Sequence, residues 1–303
     1  MAADRRSDRP RGGASDRPRP ASGRPQARNH PARGQQRRGQ SSRTLPERRP
    51  PADQPREAPR PGLARSAQEP ALPEGVDTRT LHRAVRAELR SLPKDLAEIV
   101  AGHLVLAGQL VDSEPELAYA HAEAARRRAA RLPIVREAAA ETAYAAGFYD
   151  VALSEFRALR RMTGTHDYLP VMADCERALG RPQNALKLAK ESERHQLDPA
   201  LRVEMTIVEA GARADLGQHP EARRILDRAV RTASPSPELA LAHARLQYAY
   251  ADVLLRAGQQ AEARHWFASA AHLDAEQQTD AQQRVDELDG FLIDFDDQPE
   301  SEA

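Results

Sequence analysis

The chain has little of what most directly announces chemistry. One cysteine, Cys175, stands in 303 residues, so no intramolecular disulfide framework can form, and a reducing cytoplasm is the expected location. Lysine occurs only at Lys94, Lys187 and Lys190, and asparagine only at Asn29 and Asn184. Arginine therefore carries nearly all the positive charge, the bias expected of a GC-rich bacterial genome. The longest uncharged apolar-rich run, "IVAGHLVLAGQLV", covers residues 99–111. A membrane span needs about 20 apolar residues, so this run reads as a core helix and no membrane partner is expected. The positive N-terminus has no apolar segment behind it and does not read as a secretory signal.

Chemical motifs are also missing. There is no phosphate-cradling "GxxxxGK[ST]", no "GxGxxG" opening a helix and no zinc-binding "HExxH". The ten histidines include no i, i+4 pair with a flanking acid. His265 and His272 fall on one helical face without a third ligand, so no metal site is expected. Cys175 lies mid-helix in "MADCERALG", where a structural thiol is expected rather than a reactive one. Glu137 and Glu141 stand at i, i+4 on one helix face, whereas acid–base catalysis needs carboxylates that face each other across a substrate. The expectation is a non-enzymatic chain with no cofactor, no metal and no small-molecule substrate.

What is present is a strong division of charge. Residues 1–65 hold 17 arginines against 6 acidic residues, whereas residues 274–303 hold 11 acidic residues against Arg284 alone. The stretch between them is nearly neutral. Residues 1–73 contain no aromatic residue, and 1–65 carry 11 of the 23 prolines. Such a segment has too little apolar surface to offset the entropy of ordering, so residues 1–73 read as a disordered Arg/Pro-rich arm. Two readings of the arm stand side by side: an RNA-binding segment that contacts phosphates, or a solubilising tail. At the other end, Phe291, Leu292, Ile293 and Phe295 lie among carboxylates in an acidic tail, 291–303. They either cap the last helices or form a short docking motif.

Between the ends the chain reads as about a dozen helices over 77–290, making about six antiparallel pairs, with Asp77 as the first cap. No segment alternates with period two, so no sheet is expected. One arrangement recurs: "AAGFYDVALSEFRAL" (145–159), "ALGRPQNALKLAKES" (178–192), "DLGQHPEARRILDRAV" (215–230) and "RAGQQAEARHWFASA" (256–270). In each, a glycine (Gly147, Gly180, Gly217, Gly258) stands five residues before an alanine (Ala152, Ala185, Ala222, Ala263). With the more divergent Ala118, these alanines are spaced by 34, 33, 37 and 41 residues. A period near 34 is that of a helix–turn–helix repeat. A methyl group near the turn lets the two helices of a hairpin approach closely, and Ala122, Phe156, Ala189, Leu226 and Phe267 follow one turn later on the same face.

The glycine, turn, alanine and large apolar residue together resemble the tetratricopeptide repeat (TPR), over roughly 77–272. "GFYDVALSEF" matches best. "GQHPEARRIL" and "GQQAEARHWF" match less well, and "GRPQNALKLA" lacks the large residue. The usual first-helix signature is mostly missing, with Ala140, Ala173, Ala210 and Ala251 in its small-residue position, and the register of 203–217 looks displaced by one. The resemblance implies an all-α solenoid of helical hairpins (77–290) whose first helices line a concave side that holds a peptide segment or a partner helix. Taking each glycine as register, the lining candidates are Glu137, Glu141, Tyr144, Asp174, Arg177, Tyr248, Asp252 and Arg256. The family's clamp for C-terminal carboxylates uses Asn and Lys on these helices, and this chain is poor in both. The expected function is a cytoplasmic interaction scaffold with an unidentified protein partner; the alternative is an RNA- or ribosome-associated protein that binds phosphates through residues 1–65.

Overall fold

The computed structural model describes residues 69–290, and within them the structure is helical throughout, with no strand. Twelve α-helices follow one another: α1 (Arg83–Leu89), α2 (Lys94–Leu110), α3 (Pro115–Ala129), α4 (Pro133–Ala145), α5 (Tyr149–Thr163), α6 (Leu169–Ala178), α7 (Pro182–Ser192), α8 (Pro199–Asp215), α9 (His219–Thr232), α10 (Ala240–Arg256), α11 (Gln260–Leu273) and α12 (Ala281–Leu288). Helices α2 to α11 pair as five hairpins, each packed on the next, and α12 lies against α11. Six pairs were expected. Among the described residues α12 has no following helix, and the short α1 precedes the first hairpin.

Local chemistry explains the breaks. Pro115, Pro133, Pro182 and Pro199 open α3, α4, α7 and α8, where a missing N–H costs nothing. The four recurrent glycines close the first helices. All are left-handed, with φ of 75° at Gly147, 71° at Gly180, 74° at Gly217 and 78° at Gly258. Each comes with the same pair of hydrogen bonds. At the first turn, Phe148 N donates to Ala143 O at 2.8 Å and Gly147 N to Tyr144 O at 3.0 Å. This is a Schellman closure, which satisfies the last carbonyls of a helix and needs a residue that tolerates positive φ.

The alanines do what their spacing predicts. Ala118, Ala152, Ala185, Ala222 and Ala263 are all buried, as are Ala140, Ala173, Ala210 and Ala251 on the first helices. Side-chain size at the contact sets how near two helices come, within about 8–10 Å. The larger side chains one turn later, Phe156, Leu226 and Phe267, fill the space where the hairpin widens, and each is at most 1% exposed. The displaced look of 203–217 also resolves. Helix α8 buries two faces, Met205, Val208 and Ala212 toward α6 and α7, and Ala210 toward α9 and α10.

Two boundaries differ from the sequence reading. Asp77 caps only a single 3-10 turn, Thr78–Thr80, accepting from Arg79 N at 3.0 Å, and the first α-helix begins at Arg83. More consequentially, packing starts inside the segment read as arm. Glu69 is buried, its carboxylate meeting Arg128 at 2.8 Å and His103 Nε2 at 3.2 Å. His103 Nδ1 in turn lies 3.0 Å from His121 Nδ1. This polar knot ties the chain before α1 onto α2 and α3. It was illegible because Glu69, His103 and Arg128 are joined only by tertiary contact. Residues 1–68 of the arm and the whole tail 291–303 lie outside the described residues.

Candidate partner-binding face

Successive first helices touch one another: α2 meets α4, α6 meets α8 and α8 meets α10, while the second helices make their main contacts across hairpins. In a stack of hairpins the side on which like helices converge is the inside of the curve. Among the residues singled out from sequence, Tyr144, Asp174 and Arg177 of α4 and α6 are joined by side-chain hydrogen bonds.

On α4, the Tyr144 hydroxyl donates to Asp174 on α6 at 2.6 Å, and Arg177 Nη1 donates to the other Asp174 oxygen at 2.9 Å. The same guanidinium reaches on to Asp215 at the end of α8, Nε at 2.9 Å. It lies directly over Gly211, where a β-carbon would come within 2.3 Å of it. Glu137 accepts a hydrogen bond from the Tyr168 hydroxyl at the start of α6. Toward the C-terminus, Glu204 of α8 meets Arg245 of α10 at 3.1 Å, and Asp252 lies 2.9 Å from Arg256 and 4.0 Å from Arg284 of α12. Tyr248 is 3.4 Å from Arg284 and packs edge-on against Phe267. Apart from Asp174–Arg177 and Asp252–Arg256, each within one helix, these polar contacts run from one first helix to the next or from α10 to α12. They give the row a fixed polar and aromatic surface.

Three residues behave distinctively. Burial and the neighbouring Asp174 push the Tyr144 phenol well above its ordinary value, so it stays a donor. Burial, then a hydrogen bond with Asp280, push Tyr248 up to about 12. Glu141 differs: among the described residues it has no ion pair, and it is open to water while enclosed by the walls of the row. Desolvation by those walls, and then the charge of Glu137, raise its carboxyl to about 7. A cation arriving at Glu141 would restore its ordinary ionisation.

The sequence reading named Glu137, Glu141, Tyr144, Asp174, Arg177, Tyr248 and Asp252 on this row. Arg256, exposed at the end of α10, pairs with Asp252 and also borders a groove toward α9. Asp215, Glu204, Arg245, Arg284 and Tyr168 were missed. Asp215 stands two before Gly217, as Arg256 does before Gly258, whereas the other four lie off the positions used as register; only the pairing of helices 30 to 41 positions apart reveals them. Cys175 is buried, its thiol pushed up to about 12 by burial and then Asp174, in keeping with a structural role. Among the described residues no group of three or more His, Cys, Asp or Glu is arranged to hold a metal, and no helix is long and apolar enough to cross a membrane.

No protein-family model matches the chain, and no curated protein matches it. Among solved structures, it is similar to the crystal structure of a thermophilic TPR protein from Thermus thermophilus. The identity is 21% and the TM-score 0.48, covering 62% of this chain and 98% of that one. Four Schellman-closed hairpins with buried alanines at the repeat spacing decide the architecture from the chain itself. The fold is TPR-like. In a TPR-like stack the first-helix row is continuous from one hairpin to the next, which is why side chains 30 or more positions apart form one surface here.

Proposed function

We propose that the chain is a non-enzymatic protein-interaction scaffold that holds a peptide segment or a partner helix along its row of first helices. The observation that carries this reading is the polar and aromatic row itself, half-buried and pre-ordered from Tyr144 through Asp174, Arg177 and Asp215. A surface whose side chains are already held in place loses less entropy when a partner arrives. Glu141 supplies the local chemistry. It is an acid with no ion pair in an enclosed setting beside Glu137, suited to a lysine or arginine of the partner.

Quantitative affinity capture with the full chain tests the reading. Glu141→Lys is expected to reduce recovery of the partner about tenfold or more, since about 1.4 kcal/mol of lost binding suffices for that. Arg228→Glu, on the exposed side of α9, is expected to leave recovery unchanged. Both positions are exposed, so both variants should melt within a degree or two of the parent. Equal recovery by Glu141→Lys and the parent would contradict the proposed face.

A further inference from the structure

Most arginines of the later helices hold a carboxylate. Arg224 meets Glu221 at 2.7 Å, Arg231 meets Asp227 at 2.7 Å and Arg256 meets Asp252 at 2.9 Å. Helix α1 is different. Arg83, Arg86 and Arg90 are exposed, and among the described residues none of them has an ion pair. Their spacing of three and then four residues sets them on one face of the helix, while Val85 and Leu89 pack into the first core. Two nearby acids are engaged elsewhere. Asp77 pairs with Arg79 at 3.0 Å, and Glu88 accepts a hydrogen bond from Ile134 N at 3.3 Å.

The stripe borders a recess between α1 and α2, about 340 Å³ in volume. Arg86 and Arg90 reach it from α1, and Lys94 from the first turn of α2. Glu98 is the acid among its lining residues, 3.9 Å from Lys94, with both side chains exposed. The floor, with Leu89 and Ala101, is the apolar seam where the two helices pack.

Three cations against one acid around a recess fit a ligand with closely spaced negative charge. No aromatic side chain lines the recess, so it offers no platform for base stacking. The large hydrophobic side chains exposed on the described residues, Leu117, Phe148 and Met162, belong to α3, α5 and the turn before α5. The α1 stripe therefore presents no large apolar group for insertion into a lipid surface. Guanidinium groups match phosphate oxygens two at a time. The sequence ahead of α1 carries the same bias, with 17 arginines against 6 acidic residues in 1–65. A flexible strand can bend into a recess, whereas a duplex carries its phosphates on a convex rod and would meet only the rim.

We propose that Arg83, Arg86 and Arg90, with Lys94, hold a single strand of RNA by its phosphates, without preference for sequence. The surface shares no residue with the row from Tyr144 to Asp215, and RNA bound here leaves that row open to a protein segment.

Salt-dependent binding of a fluorescent oligouridylate to the full-length chain tests the proposal. Arg83→Gln, Arg86→Gln and Arg90→Gln together are expected to weaken binding about tenfold or more at low salt. They should also reduce the slope of log K against log salt by about 2, since each phosphate contact on a single strand contributes about 0.7. Arg161, Arg194 and Arg228 are likewise exposed and without an ion pair among the described residues. Arg161→Gln, Arg194→Gln and Arg228→Gln together remove equal charge and are expected to leave the slope unchanged. Both triple variants place a good helix former at exposed positions, so both should melt close to the parent. No retention of the oligouridylate by the parent at low salt would overturn the proposal. So would an unchanged slope in the α1 variant, an equal loss in the control variant, or stripe-dependent binding that favours duplex RNA or poly-glutamate over the single strand.

Discussion

Replacing Phe267 with alanine is expected to lower stability by about 3–5 kcal/mol, the range for truncating a fully buried aromatic residue. Phe267 is 0% exposed. Tyr248 stands edge-on to its ring at a centroid distance of 5.1 Å, and the Arg284 guanidinium lies 5.0 Å above it. It is packed in the cluster that joins α8 to α12, with Leu226, Leu246 and Leu254. Alanine would forfeit the ring's contacts and open a cavity where α10, α11 and α12 meet. Because each hairpin leans only on its neighbours, the loss should stay local. In urea, amides of 240–290 are expected to lose protection well before those of α2 to α5. A cost under about 1 kcal/mol, outside that range, would mean that the last hairpin is not held by this core.

The second large effect is expected at Glu69. Glu69→Ala removes the carboxylate that Arg128 meets at 2.8 Å and His103 at 3.2 Å. Taking one partner from a buried ionic group costs about 3–5 kcal/mol, because the remaining charge keeps its desolvation penalty. The same knot makes stability depend on pH. Burial, and then the proximity of His121, lower His103 to about 4 from an ordinary 6.5, against an upward pull from Glu69; Arg128 adds to the lowering. Burial also lowers His121. A histidine whose folded value is depressed binds its proton more readily unfolded. Its neutral form is stabilised fully above about 6.5, and the advantage is lost as pH falls from 6.5 toward 4. Glu141, raised to about 7, binds its proton more readily in the folded chain and so stabilises it as pH falls through the same window. The test is therefore the difference between variants: from pH 7 to pH 5 the thermal midpoint of the parent should fall relative to that of His103→Gln. Parallel pH profiles of the parent and His103→Gln would contradict the buried neutral pair.

Legibility in the sequence followed the range of the interaction. Gly147, Gly180, Gly217 and Gly258 were readable because a left-handed closure is a local demand that few residues meet. The alanines five positions later were readable because the hairpin repeats them. The buried carboxylates were not. Glu69, Glu155 and Glu176 look like solvated acids, yet Glu155 meets Arg136 at 2.5 Å and Arg126 at 3.3 Å, and Glu176 meets Arg157 at 2.6 Å. Each pairing needs a neighbouring helix that sequence spacing does not reveal. The row of first helices was half readable. The glycine register found Tyr144, Asp174 and Arg177 but not Asp215, because α8 carries Gly211 at the position where α4, α6 and α10 carry an acid, and its acid stands four residues later. The α9–α10 groove was hidden for the opposite reason: Arg223, Arg224 and Arg231 of α9 resemble an ordinary wet face until the wall of α10 stands beside them.

The central claim is that small side chains near each turn let the hairpins nest, and Ala152→Leu tests it most directly. Ala152 is 0% exposed against α4 and α6 neighbours such as Ala140 and Met172. Urea unfolding is expected to show a loss of about 1–3 kcal/mol from overpacking, while Ala261→Leu, at an exposed position of α11, leaves the midpoint nearly unchanged. An unchanged or raised midpoint for Ala152→Leu would show that the helices have room to spare, and that close approach at the turn is not what builds the stack.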